Sequence, residues 1–181
     1  MPKGPLMERH LLVMSIGHIQ SLVVAPAEVR DEVNKFKDAY CLFSDRNNEV
    51  VCVFERNYKT EHMQIQFVPI PKSKAKSLKS TFLNAAQLKN IEFCILGENE
   101  QVWDLLNEGS PYFYVELPDG TKMLSRTMSR SRLKSLLDCE DHIDWRNCSL
   151  EKDKEIELVT KLKNGFKPFD FTNTEDSDED D

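Results

Sequence analysis

The residues best suited to chemistry stand in the stretch TEHMQIQF, Thr60 to Phe67. His62, Gln64 and Gln66 occupy alternate positions, with Met63, Ile65 and Phe67 between them. On a strand, successive side chains point to opposite faces, so the three polar groups would share one face and the three apolar groups the other. Neutral imidazole is a nucleophile and is mostly unprotonated at neutral pH, so a histidine here can attack phosphorus and carry a covalent nucleotide. Glutamine cannot replace it as nucleophile; its amide only donates or accepts hydrogen bonds, for instance with a phosphate oxygen. The plainer alternative is a half-exposed strand with its polar side chains in solvent.

Other polar groups surround this stretch. His10 and His18 flank the run LLVM, and Gly17 beside His18 lets backbone approach closely. In FERN, Phe54 to Asn57, Glu55 and Arg56 could pair, or Arg56 and Asn57 could meet a phosphate. Lys72, Lys74, Lys76 and Lys79 form one basic cluster; Arg126, Arg130, Arg132 and Lys134 form another. Both suit a nucleic-acid backbone, although charged helix faces in solvent look the same, and neither cluster has interleaved aromatics for base stacking. No P-loop, G-x-G-x-x-G, H-E-x-x-H or Ser-His-Asp arrangement occurs, and His10, His18 and His62 form no close group with cysteine. No metal or other cofactor is therefore expected.

The elements that must position these residues follow from periodicity. Leu11 to Met14 reads as a strand. Val29, Val33, Phe36, Tyr40 and Phe43 recur at three- and four-residue steps, an amphipathic helix with Pro26 at its start. Val50 to Phe54 reads as a buried strand, and the polar loop ERNYKT leads from it into the Thr60–Phe67 strand. That strand is expected to stop at VPIPKSK, because proline removes ladder donors. The two late strands are joined closely enough to run antiparallel. Beyond them, a helix is expected with Leu78, Phe82, Ala85 and Leu88 on one face. A strand at IEFCIL and a short helix at NEQVWDLL follow. YFYVELPDGTKML reads as a hairpin turning at Pro118-Asp119-Gly120. A last helix is expected from an N-cap at Ser149, with Ile156, Val159 and Leu162 inward and its end at Gly165, followed by the aromatic FKPFDFT. The fold class is α+β.

Composition sets the outer bounds. The chain has 181 residues and a formal net charge of -7, much of it in TEDSDEDD at the C-terminus, which cannot bury apolar surface and reads as a disordered acidic tail. Ser177 there suits an acid-directed kinase. Five cysteines at wide spacing, with no C-x-x-C, suggest reduced thiols in an intracellular protein. No apolar window spans a bilayer, and the N-terminus lacks a signal-peptide pattern, so no membrane partner is expected.

HLLVMSIGH, VVCVFERNYK, EHMQIQFVPIP, YFYVELPDG, DWRNC and FKPFDFT together, in that order, resemble the C-terminal region of CwfJ-type (Cwf19-like) splicing-factor proteins, from His10 to Thr172. The resemblance implies a histidine-triad (HIT)-like domain with an antiparallel sheet, truncated here, over residues 1–71. A second family-specific domain would follow over 72–172, and the acidic tail over 173–181. The family's upstream C-x-x-C element and first hairpin are not in this sequence. HIT enzymes carry His-x-His-x-His, whose middle histidine takes the nucleotidyl group. In one register His62, Gln64 and Gln66 fill the three positions, and the nucleophile has become glutamine. In a second register Thr60, His62 and Gln64 fill them, and His62 is the nucleophile.

What the resemblance implies for function is a nuclear role in pre-mRNA splicing. Spliceosomal proteins and the lariat-debranching enzyme would be partners, and branched or single-stranded RNA a ligand. His18, Arg56, Asn57, His62, Gln64 and Gln66 are then the phosphate- or nucleotide-binding residues. A recognition or adaptor role without catalysis is favoured, because the first register has lost its attacking atom. A HIT-type nucleotidyl hydrolase or RNA-processing enzyme using His62 is the alternative, and an interaction module with a vestigial pocket is a third reading.

Overall fold

The computed structural model describes residues 2, 5–88, 90–126 and 151–172. The elements in chain order are β1 (Leu11–Met14), α1 (Ala27–Arg46), β2 (Glu49–Asn57), β3 (Gln64–Pro71), α2 (Lys72–Leu88), β4 (Cys94–Ile95), α3 (Val102–Leu105), β5 (Tyr112–Glu116), β6 (Lys122–Ser125) and α4 (Lys152–Phe166), with a 3-10 turn over Lys167–Phe169. The six strands among the described residues form one antiparallel sheet in the order β1-β3-β2-β5-β6-β4, so the expected α+β class holds. The acidic tail, DWRNC, Ser149 and the basic cluster beyond Arg126 lie outside the described residues.

Strand alternation gives the sheet two apolar faces, each covered. On one, Val51, Val53, Ile65, Phe67, Tyr112, Tyr114 and Leu124 pack with Val33, Tyr40 and Phe43 of α1 and Leu162 of α4. On the other, Cys52, Phe54, Val68, Phe113, Val115 and Met123 pack with Ala86, Leu78 and Phe82 of α2. The aromatic C-terminal stretch closes over α1: Phe166 and Phe169 meet Phe43 edge-on, Phe171 lies against Phe36, and Arg46 sits over Phe169. These contacts join the last described residues to the first helix, which is why that stretch is rich in phenylalanine.

Four elements depart from expectation: β3, β4, α2 and α4. The strand expected over Thr60–Phe67 begins at Gln64, because β1 ends at Met14 opposite Gln64 and offers nothing to pair with earlier residues. Instead the Met63 N–H leaves the ladder and donates to the Ile19 carbonyl at 2.6 Å. The strand also continues through Pro69 to Pro71 rather than stopping there. β1 reaches only to Phe67, so beyond it β3 has β2 alone as neighbour, and a missing proline donor on the open side costs no ladder bond. The IEFCIL strand shrinks to two residues, and Leu88 ends α2 exposed. In α4, Ile156 is exposed and Gly165 lies within the helix, where a Cβ would stand 3.1 Å from the Phe43 ring. Glycine there permits close helix packing; it does not end the helix.

Candidate functional site

The polar positions of the His-x-Gln-x-Gln stretch do not act as one group; they divide between the turn into β3 and the strand's third residue. Gln66 lies opposite Leu12 on β1 and Phe54 on β2. Its Oε1 is 2.7 Å from Nε2 of His10. His10 Nδ1 accepts the Leu6 N–H at 3.0 Å, which leaves Nε2 to carry the proton and donate to Gln66. The imidazole is 3% exposed and its pKa is lowered to about 4, first by burial. His10 is thus a neutral, satisfied core histidine.

The entry to β3 differs. His62 precedes the first residue of β3, and its ring centroid lies 4.6 Å from that of exposed His18, tilted by 46°. The neighbouring Met63–Ile19 backbone bond holds the two segments together. His62 Nδ1 is buried and has no hydrogen-bond partner among the described residues. Gln64, half-buried, faces exposed Met14 across the β1–β3 ladder. His18 and His62 therefore come together, Gln64 stands two residues further on at the start of β3, and Gln66 belongs with His10.

The FERN stretch is also divided by alternation. Glu55 and Arg56 do not pair: adjacent strand residues face opposite sides of the sheet. Glu55, 1% exposed, accepts the Leu22 N–H through both carboxylate oxygens at 3.1 and 3.3 Å and the Tyr112 hydroxyl through Oε2. Burial pushes its pKa up to about 7, against the lowering effect of those two donors. Asn57 is buried as well; its amide donates to the Ser110 carbonyl at 2.9 Å and accepts the Thr60 hydroxyl at 3.1 Å. Both residues tie loops to β2. Arg56, half-buried, lies opposite Phe113 on the face that carries Gln66 and Phe54.

A cleft that residue spacing did not announce opens on the α1 face. It measures about 420 Å³ and brings Arg30 and Lys37 of α1 together with Gln101, Trp103 of α3, Glu116 of β5 and Lys122 of β6. No short motif spans residues so far apart in sequence, so only the fold shows it. Among the described residues no group of three or more His, Cys, Asp or Glu could hold a metal, and no helix is long and apolar enough to cross a membrane.

A single antiparallel sheet with helices on both faces, and a third strand led in by His62-x-Gln64-x-Gln66, defines a histidine-bearing α+β domain. Two family models match in overlapping succession: "Protein similar to CwfJ C-terminal" over residues 1–83 and "Protein similar to CwfJ C-terminus 2" over residues 62–172. The chain belongs to the CwfJ/Cwf19-like family. It is 51% identical over 187 residues to the CWF19-like protein 1 homolog of Caenorhabditis elegans, which covers 98% of this chain and 35% of that protein. It is 35% identical over 181 residues to CWF19-like protein 1 of Homo sapiens, covering 94% and 34%. It is 35% identical over 185 residues to zinc finger CCCH domain-containing protein 59 of Oryza sativa, covering 93% and 30%. The chain thus spans about a third of the length of these curated relatives.

Proposed function

We propose that this chain is a splicing-associated recognition module that binds RNA phosphate without catalysis, acting in the nucleus within late spliceosomal complexes and alongside lariat debranching. Family membership supports the splicing role. The observation that carries the site is the end of β3 where His18 and His62 face each other and His62 Nδ1 lies buried without a partner. Gln64 follows in the middle position, where its amide can bond a phosphate oxygen but cannot attack phosphorus. With Gln66 engaged by His10, recognition falls to His18, His62 and Gln64, with Arg56 on the same face of the sheet. Asn57 supports the rim through its two loop contacts.

The test is a titration of the full chain with labelled branched RNA and its linear counterpart at two salt concentrations. Tighter binding to the branch, lost in the His62→Ala, Gln64→Ala double variant, is the expected result. Equal and steeply salt-dependent binding that the variant does not change would transfer the affinity to the lysines of α2. The same buried nitrogen motivates one other reading, with His62 as nucleophile of a nucleotidyl hydrolase. That reading requires a trapped phosphohistidine and loss of turnover in His62→Ala.

A further inference from the structure

On the opposite face of the sheet from Gln64 and Gln66, the cleft between α1 and the β5–β6 hairpin has an apolar floor of Val33, Val53, Ile65 and Phe67. Its volume of about 420 Å³ is that of a small-ligand site. Three cations, Arg30 and Lys37 of α1 and Lys122 of β6, meet at its polar rim, each held by a neighbour. The Arg30 guanidinium lies 4.3 Å above the Trp103 ring and its Nε donates to the Ala25 carbonyl at 2.7 Å. Lys37 pairs with Glu116 at 3.0 Å. Lys122 donates to the Gln101 side chain at 3.1 Å. Against these three stand two lining carboxylates, Glu116 and Asp38, so the cleft is positive in a protein whose net charge is -7. Such a concentration against the overall charge attracts anions. Trp103 and Tyr114 add aromatic surface beside the apolar floor.

An apolar floor with an aromatic wall and a cationic rim suits a planar base carrying a phosphate. We propose that this cleft binds a nucleoside monophosphate group, either free or as one residue of an RNA strand, with the base on the Trp103 side and the phosphate drawn to Arg30, Lys37 and Lys122. The proposal does not depend on the β3 reading, because the two sites share no residue.

The experiment follows Trp103 fluorescence in a Trp145→Phe background, since the chain has two tryptophans. Adenosine monophosphate should quench it saturably, with a dissociation constant below about 1 mM. Lys37→Ala combined with Lys122→Ala should weaken that binding by about tenfold or more. Lys122→Ala alone removes one hydrogen bond to Gln101 and should weaken it in the same direction, so loss of fold in the double variant would not decide the matter. Calorimetric titration of Trp103→Leu should show weakened binding as well. His62→Ala with Gln64→Ala should leave the quenching unchanged, which separates this site from the one at β3. A single-stranded oligoadenylate that binds more tightly than the mononucleotide assigns the site to RNA; equal or weaker binding assigns it to free nucleotide. The proposal is overturned by any of three results: no saturable response up to about 10 mM, adenosine binding as tightly as its monophosphate, or inorganic phosphate doing so.

Discussion

His10 and His62 are both histidines beside the same strand, yet the structure treats them differently. His10 has both ring nitrogens bonded, to the Leu6 N–H and to Gln66, and is 3% exposed. His62 is half-buried, meets exposed His18 at a tilt, and keeps one buried nitrogen without a partner among the described residues. A buried polar group that is fully paired specifies the fold; one left unpaired demands another explanation. The comparison teaches that the polar stripe of β3 is half architecture and half candidate site, and that the division falls between Gln64 and Gln66.

The largest effect expected from this contrast is on stability. His10→Ala removes a buried ring that lies 6.4 Å from Phe54 and strands both the Leu6 N–H and the Gln66 carbonyl. Cavity and lost bonds together should cost about 2–4 kcal/mol, read as a lower urea midpoint with unchanged slope. A loss within about 0.5 kcal/mol would show that His10 is not the core residue described.

The second prediction sets His10 against Glu55, two buried titratable groups shifted in opposite senses. Glu55 has a folded pKa of about 7, above its ordinary 4.5. The unfolded chain therefore gives up this proton first, and stability falls as pH rises from about 4.5 to 7. His10 has a folded pKa of about 4, below its ordinary 6.5, so the unfolded chain binds this proton more tightly, and stability rises with pH from about 4 to 6.5. Between 4.5 and 6.5 the two slopes cancel. Glu55→Gln should remove the falling component and expose a rise on the order of 3 kcal/mol across that window. Denaturation at four or five pH values would read it; a variant as flat as the parent would mean that one of the two shifts is absent.

A smaller effect sits in the β5–β6 turn. Gly120 holds φ at +81°, Leu117 accepts its N–H, and Asp119 Oδ1 accepts the Thr121 N–H at 2.9 Å. Gly120→Ala should cost about 1 kcal/mol in thermal or urea unfolding. A neutral result would show that the turn relaxes out of the left-handed region at little cost.

That hairpin was legible in Pro118-Asp119-Gly120, and α1 in the spacing of Val29, Val33, Phe36, Tyr40 and Phe43, because both depend on neighbours in sequence. The limits of β3 were not legible. Whether Pro69 can sit in a strand depends on where β1 ends, and that is a property of pairing. The same holds for Glu55, whose partners Leu22 and Tyr112 come from distant segments. Ile156 misled because a helical stripe states only that one side is apolar. α4 places Leu162 in the core and leaves its first turns exposed. The identity of the residues at the candidate site was readable from His62, Gln64 and His18. Their division into a paired core end and an unpaired end was not, since it rests on the loop of residues 6–10 folding back over Gln66.

The smallest stability effect makes the sharpest test of the contrast. His18 is exposed and its ring meets that of His62, so His18→Ala removes little burial. Its urea midpoint should stay within the equivalent of about 0.5 kcal/mol of the parent. Affinity for branched RNA should nevertheless fall several-fold, because the ring packed against His62 is gone. Loss of affinity without loss of stability would place His18 in the opposite category from His10. If stability fell with affinity, the His18–His62 contact would be another piece of architecture, and the unpaired nitrogen of His62 would no longer mark a site.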